Sequence, residues 1–488
     1  MLRVSSLSEA AGALVRDNLY IDGQWTDGDG QPIAVCNPSS GELLASVASA
    51  SASQAELAVA AAERAFREWS RLLAKERAAI LRRWYELIVQ HVDELARIVT
   101  AEEGKPLAEA RGEVLYGAGF VEWFAEEAKR AYGDVVPTNA QNRRIVVIKQ
   151  PIGVCAAITP WNFPSAMILR KAGPALAAGC TMVLKPASET PLSGLALAEL
   201  ADRAGVPAGV FNVVHGEPVE IGAVLTSHPD VRALTFTGST AVGKLLAKQC
   251  AGTVKRVLLE LGGNAPLIVF DDADIELAIA GAMNSKFRNT GQTCVCANRI
   301  LVQSGIHDAF VQRLTEATAA LAVGDGLEPD VAQGPLITEE AVAKVERHVA
   351  DAVAQGARLE LGGHRHTHGG TFYEPTVLTG ARPQMLIAQE ETFGPLAAVF
   401  RFETEADAVA LANDTDSGLS AYFFTRDLAR AWRVGEELEF GLVGINTGLI
   451  SSEAAPFGGV KESGLGREGS RHGLDDYMEL KYLCFEGL

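Results

Sequence analysis

The sequence predicts an α/β protein: two Rossmann-like α/β domains with parallel sheets, joined to a small β element. Three observations carry this. From 153 to 250, short apolar runs alternate with amphipathic helical segments in units of about 25 residues, the pattern of a parallel sheet covered by helices on both faces. A second alternating region spans 267–444. Two strand-like segments, 142–150 and 477–485, fall outside both regions.

Along the chain, 52–132 reads as helical, rich in Ala, Leu and Glu, with Trp69, Trp84 and Trp123 on apolar faces. Ser51 and Ser53 offer N-caps for its first helix. A β-branched strand follows at 142–150. Strands at 153–158, 181–184, 210–214 and 233–236 then precede helices at 166–178, 193–204, 219–226 and 241–250, in that order. Segment 275–288 reads as a helix that ends just before a Gly-Gln turn. The last strand, 477–485, lies far from the other sheets in sequence, a position from which it could pair with a neighbouring subunit.

At 488 residues the chain has room for two or three domains, and 48% hydrophobic with 21% charged residues is an ordinary globular composition. A net charge of −18 argues against general affinity for nucleic acid or an anionic membrane. The seven cysteines (36, 155, 180, 250, 294, 296 and 484) are odd in number and irregularly spaced, which favours a reducing compartment over a disulfide framework. Residues 1–18 carry Glu9 and Asp17 and lack the apolar core of a secretory signal. No apolar run approaches membrane-spanning length. The expected location is the cytoplasm.

Ligands of open parallel sheets sit beyond the carboxyl ends of the strands. Three such ends carry polar or special residues: Thr159-Pro160-Trp161-Asn162-Phe163-Pro164, Lys185-Pro186-Ala187-Ser188-Glu189, and Thr237-Gly238-Ser239. Gly238 to Lys244 has the spacing of a phosphate-cradling loop, but residue 245 is Leu where that loop needs Ser or Thr for magnesium. A Gly-Ser turn opening a helix still suits a dinucleotide pyrophosphate. Cys294 follows Gly291-Gln292-Thr293; a thiol in such a turn is a candidate nucleophile, its pKa lowered by nearby backbone N–H groups. Glu260 sits between apolar strand residues and Gly262-Gly263, and a buried carboxylate is costly without a role.

Together, Thr159 to Pro164, Lys185-Pro186, Phe236-Thr-Gly-Ser239, Glu260-Leu-Gly-Gly-Asn264, Gly291-Gln-Thr-Cys294 and Glu391-Thr-Phe-Gly-Pro395 resemble the aldehyde dehydrogenase superfamily over nearly the whole chain, in the family's order. Phe287 to Cys296, with Arg170 upstream, is similar to the succinate-semialdehyde dehydrogenase branch. The resemblance implies a dinucleotide-binding domain from 1–127 and 148–260, a catalytic domain at 261–463, and an oligomerisation element from 128–147 and 464–488. It implies a dimer or tetramer.

By the same resemblance, Cys294 attacks the aldehyde, and Asn162 with the Cys294 amide stabilises the oxyanion. Hydride passes to a nicotinamide, and water activated by Glu260 hydrolyses the thioester. Thr159, Pro160, Trp161, Lys185, Ser188, Gly238, Ser239, Glu391 and Phe393 are the expected cofactor residues. Many NAD-preferring relatives place a carboxylate where this chain has Ser188, so NADP is the expected preference, with NAD the second cofactor. Arg170 and Arg288, at a tunnel mouth, would bind the distal carboxylate of a short semialdehyde, with Ser452 or its neighbour Ser451 adding a hydroxyl. Glutarate semialdehyde is the nearest rival substrate. A thioester-handling acyltransferase or esterase is the rival class, which would need no nicotinamide site. Glu468 reads either as a proton relay or as a surface salt bridge. Cys296 is either a packing residue or the partner of Cys294 in a reversible disulfide, which is behaviour of this branch. His364-Arg-His-Thr-His368, between glycine pairs, reads as a solvated hairpin tip, and no metal is expected.

Overall fold

Apolar strands whose two faces are both buried need helices on each side, and the sequence supplies them twice. The computed structural model describes residues 12–487, so the reading of the N-terminus falls mostly outside the described residues. The first sheet has eight strands. Edge to edge they are Gln24–Thr26, Leu19–Ile21, Phe211–Val213, Thr181–Lys185, Val154–Ile158, Val231–Thr237, Arg256–Glu260 and Gly464–Leu465. Its five central strands run parallel; the outer pairings are antiparallel. Strand order reverses between Val154–Ile158 and Val231–Thr237, which opens a crevice at their carboxyl ends.

The helices covering this sheet are α1 (Ala52–Trp69), α2 (Ala74–Gln90), α3 (Val92–Glu103), α4 (Leu107–Glu127), α5 (Ala166–Ala178), α6 (Pro191–Arg203), α7 (Pro218–Ser227) and α8 (Thr240–Cys250). The segment expected to be helical throughout 52–132 is thus four helices. The break between α3 and α4 falls at Gly104-Lys105-Pro106, where Gly104 takes a left-handed φ of 97° and proline removes a donor.

The second sheet has seven strands in the order Arg358–Leu361, Thr376–Thr379, Leu396–Phe402, Ala297–Gln303, Ala265–Val269, Ser420–Phe424 and Leu442–Ile445. All its pairings are parallel except the first, antiparallel one. Helix α9 (Ile275–Lys286) leads from this sheet towards Cys294.

The third sheet joins the two segments that fall outside the larger sheets. The C-terminal strand Met478–Glu486 pairs within its own chain, antiparallel to Arg143–Pro151, in full register from Met478 opposite Pro151 to Glu486 opposite Arg143. Asp134–Val136 completes the sheet on the other side. Nine residues pair along one edge of this strand, which lies at the margin of the sheet with its other edge unpaired among the described residues. Residues 464–465, expected in this element, instead add an edge strand to the first sheet beside Glu260. The three-stranded sheet leaves Val135, Leu480 and Tyr482 at 80%, 69% and 60% exposure. Among the described residues, no helix is long and apolar enough to cross a membrane.

Candidate active site

The crevice of the first sheet faces the loops that enter the second sheet at its amino edge. Between them lies a cavity of about 300 Å³ whose wall contains Cys294, Glu260, Asn162, Pro160, Trp161, Gly238, Ser239, Glu391 and Phe393. Nine of the sequence candidates therefore meet in one space. Thr159, Lys185, Ser188, Arg170, Arg288 and Ser452 are not among its lining residues.

Cys294 reaches the cavity through a strained loop. Asn289 and Thr290 both adopt left-handed backbone, with φ of 50° and 56°, which is costly for a β-branched threonine. The strain is held by bonds from the first domain: Asn289 N donates to Glu109 Oε2 at 2.7 Å, and Asn289 Nδ2 to Glu103 Oε1 at 2.8 Å. Gly291 has a φ of 75°, and a Cβ there would overlap the Gly394 carbonyl oxygen. Gly291→Ala is therefore expected to cost about 2 kcal/mol or more, read as a lower urea midpoint at unchanged slope. An unchanged midpoint would show that the loop adapts.

The thiol departs from expectation. It is half-buried, and burial pushes its pKa up to about 12, with the Glu391 carboxylate adding to the rise. Arg170 and Arg288 pull the other way and are outweighed. Desolvation disfavours the thiolate more than the turn favours it. Glu260 ends its strand with a buried carboxyl whose Oε2 has no hydrogen-bond partner among the described residues. Burial, then the nearby negative Glu468, hold it well above the usual carboxylate range. Asn162 is buried, and its Nδ2 donates to Gln292 O at 2.9 Å, which ties it to the nucleophile loop.

Two expectations about charge are also corrected. Arg170 is at no tunnel mouth and is no solvated helix arginine. It is 2% exposed, stacks on Phe457 at 4.0 Å, and lies 2.7 Å from Glu468 Oε2, an ion pair off the angle of a directed hydrogen bond. Glu468 is not a surface residue. Burial pushes its carboxyl up, but Lys171 (2.6 Å) and Arg170 overcome this and hold it below its ordinary value. Arg288 by contrast is half-buried, lies over the Phe163 ring at 4.9 Å, and makes no ion pair among the described residues.

On the cofactor side, Ser239 caps α8, its Oγ accepting from Val242 N at 3.4 Å. Trp161 and Phe393 meet edge to face at 5.6 Å, and Phe393 holds a left-handed φ of 57°. Glu391 Oε1 accepts from Gly263 N at 3.2 Å; burial raises its pKa to about 7. Lys185 is buried, its pKa lowered to about 8 by desolvation, and gives one hydrogen to Pro186 O at 3.1 Å. Thr159 Oγ1 is buried and unpartnered. Ser188 is half-buried. Ser452 Oγ accepts from Ala454 N at 3.3 Å, whereas Ser451 lies beside Tyr116. Cys296 is buried with its thiol 3.1 Å from Lys286 O, so pairing with Cys294 would break that contact. In the segment 364–368, His364 Nδ1 lies 3.0 Å from the neighbouring Arg365 O, whereas His368 Nε2 reaches Val323 O, 45 residues away, at 3.1 Å.

One supporting group is absent from the sequence reading. Lys105 is 1% exposed, and its Nζ donates to Glu113 Oε2 and to Asn162 O, both at 2.6 Å. Glu113 in turn accepts from Ser165 N and Ala166 N, opening α5. This buried pair fixes the backbone that carries Asn162. The only signal was a run of charges, Glu102-Glu103-Gly104-Lys105, inside an apolar helical region.

Residues 25–483 match the model of the aldehyde dehydrogenase family. The chain is 61% identical over 476 residues to the glutarate-semialdehyde dehydrogenase of Pseudomonas aeruginosa, covering 97% of this chain and 99% of that protein. It is 60% identical over 472 residues to the NADP(+) succinate-semialdehyde dehydrogenase of Escherichia coli, covering 96% and 98%. The crystal structure of succinate-semialdehyde dehydrogenase from Burkholderia pseudomallei matches with a TM-score of 0.97 at 59% identity, over 97% of this chain and 99% of that one.

Proposed function

The chain belongs to the aldehyde dehydrogenase family, and from that premise we propose that it oxidises succinate semialdehyde to succinate in the cytoplasm, with NADP preferred and NAD the second acceptor. A homo-oligomer is part of this reading, supported by the exposed apolar residues Val136, Leu480 and Tyr482, which the register puts on one face of the sheet. Family membership disfavours the acyltransferase or esterase alternative.

Arg288 carries the substrate reading. A half-buried guanidinium with no ion pair among the described residues, set on Phe163 at the cavity wall, is a fork for a carboxylate oxygen pair. Arg170, already balanced by Glu468, contributes field from behind. Arg288→Ala is expected to raise KM for succinate semialdehyde about ten- to hundredfold, the loss of one charge-assisted contact. Butanal, of equal carbon count and no charge, should change little. Equal losses on both aldehydes would refute the carboxylate role. Glutarate semialdehyde, one methylene longer, is served by the same group; a panel of semialdehydes ranks the two.

The dinucleotide fits the residues present. Among the described residues Thr159 Oγ1 lacks a partner and Lys185 Nζ has two hydrogens left to give, and the N-terminus of α8 opens at Gly238-Ser239. These residues, with Ser188, Glu391 and Phe393, would hold it. Ser188 can donate to a 2′-phosphate that a carboxylate would repel. Ser188→Glu is expected to lower kcat/KM for NADP at least tenfold and to spare NAD. Unchanged NADP use would overturn this assignment.

In the reaction, the Cys294 S–H bond breaks with its proton passing to water, and the sulfur bonds to the aldehyde carbon. Asn162 Nδ2, which spends one hydrogen on Gln292 O, directs the other to the oxyanion, joined by the Cys294 amide. The bound dinucleotide supplies a hydride acceptor for the resulting tetrahedral carbon. Glu260 then takes a proton from the water that hydrolyses the thioester, releasing the acid and the thiol.

A further inference from the structure

We propose that the Tyr116 hydroxyl is a further ligand for the distal carboxylate of the substrate, donating a hydrogen bond beside Arg288. The inference rests on the reading that a carboxylate-bearing aldehyde is bound. Tyr116 lies on α4, and its hydroxyl oxygen is buried with no hydrogen-bond partner among the described residues. Buried phenols ordinarily find a partner, because an unmade bond carries the full cost of desolvation. An orphan of this kind beside an active site marks the place of an absent acceptor.

The surroundings say what that acceptor is. Tyr116 packs against Phe163 and Met167, both on the cavity wall. It also meets Phe120 edge to face at 5.1 Å. Phe163 carries the Arg288 guanidinium at 4.9 Å and Phe120 that of Arg170 at 5.5 Å. The phenol thus stands between the two rings that bear the two guanidiniums, and both positive charges act on it more strongly than the negative Glu468 does. Ser451 lies close by, without a bond of proper geometry to the hydroxyl. A donor without an acceptor, flanked by cations, suits an anion rather than a neutral chain. A carboxylate has two oxygens, and Arg288 with Tyr116 can divide them.

Tyr116→Phe removes the hydroxyl and keeps the ring with its packing. The readout is the ratio of kcat/KM for succinate semialdehyde to that for butanal, measured for the parent, Tyr116→Phe and Arg288→Ala. The expected result is a ratio about tenfold or more lower in Tyr116→Phe, through KM. An unchanged ratio in Tyr116→Phe, with a fallen ratio in Arg288→Ala, overturns the role of the phenol and leaves the carboxylate reading intact. Equal losses on both aldehydes in Tyr116→Phe also overturn it, as the mark of a packing role. An unchanged ratio in Arg288→Ala refutes the carboxylate reading itself, and the Tyr116 assignment with it.

Discussion

Cys294→Ala is expected to lose aldehyde-dependent reduction of the dinucleotide by on the order of 10⁵-fold or more, with the fold and dinucleotide affinity retained. An aldehyde carbon is planar and holds its hydrogen until a nucleophile makes it tetrahedral. On the described cavity wall, Cys294 is the only thiol. Its side chain is half-buried and small, so alanine removes chemistry and little packing. The raised pKa sets the direction of the pH effect. A thiol held protonated by burial reaches its reactive form more readily as pH rises, so the rate of the dinucleotide-free enzyme with a thiol reagent should climb towards alkaline pH.

Glu260→Gln should lower steady turnover about 10²- to 10⁴-fold while still releasing one equivalent of reduced dinucleotide per active site. Glutamine keeps the shape of the side chain but cannot take a proton from water, so the cycle stops at the thioester. The sign with pH follows from the raised pKa. The base form of Glu260 appears only above the usual carboxylate range, so parent activity rises with pH there, and this limb should vanish in the variant. Stability runs the opposite way. A carboxyl raised on folding favours the native state below the unfolded pKa, and that contribution is lost as pH rises through the folded value. At neutral pH glutamine should therefore cost no stability. A full loss of both burst and turnover would place Glu260 in the first half-reaction.

The sheets were legible because their strands are apolar on both faces. Helix α5 agrees with its predicted span to the residue, and Gly179 in left-handed backbone ends it. Cys294, Glu260 and Asn162 were legible from motif, and the cavity brings them together. The C-terminal strand was legible as a strand from its alternation, and the resemblance grouped it with 128–147, the region it joins in one sheet. Charge was least legible. Lys171 meets Glu468 across 297 residues, and that contact holds in the interior an acid that the sequence left open between a proton relay and a surface salt bridge. The direction of the Cys294 shift likewise depends on what surrounds the turn rather than on the turn itself.

The most direct measurement is the intact mass of Glu260→Gln, quenched after one turnover with succinate semialdehyde and NADP, followed by peptide mapping. Chemistry through a covalent thioester predicts one succinyl group per chain, on the peptide that carries Cys294. Reduced dinucleotide formed by a protein of unchanged mass, or a succinyl group on any other residue, would contradict it.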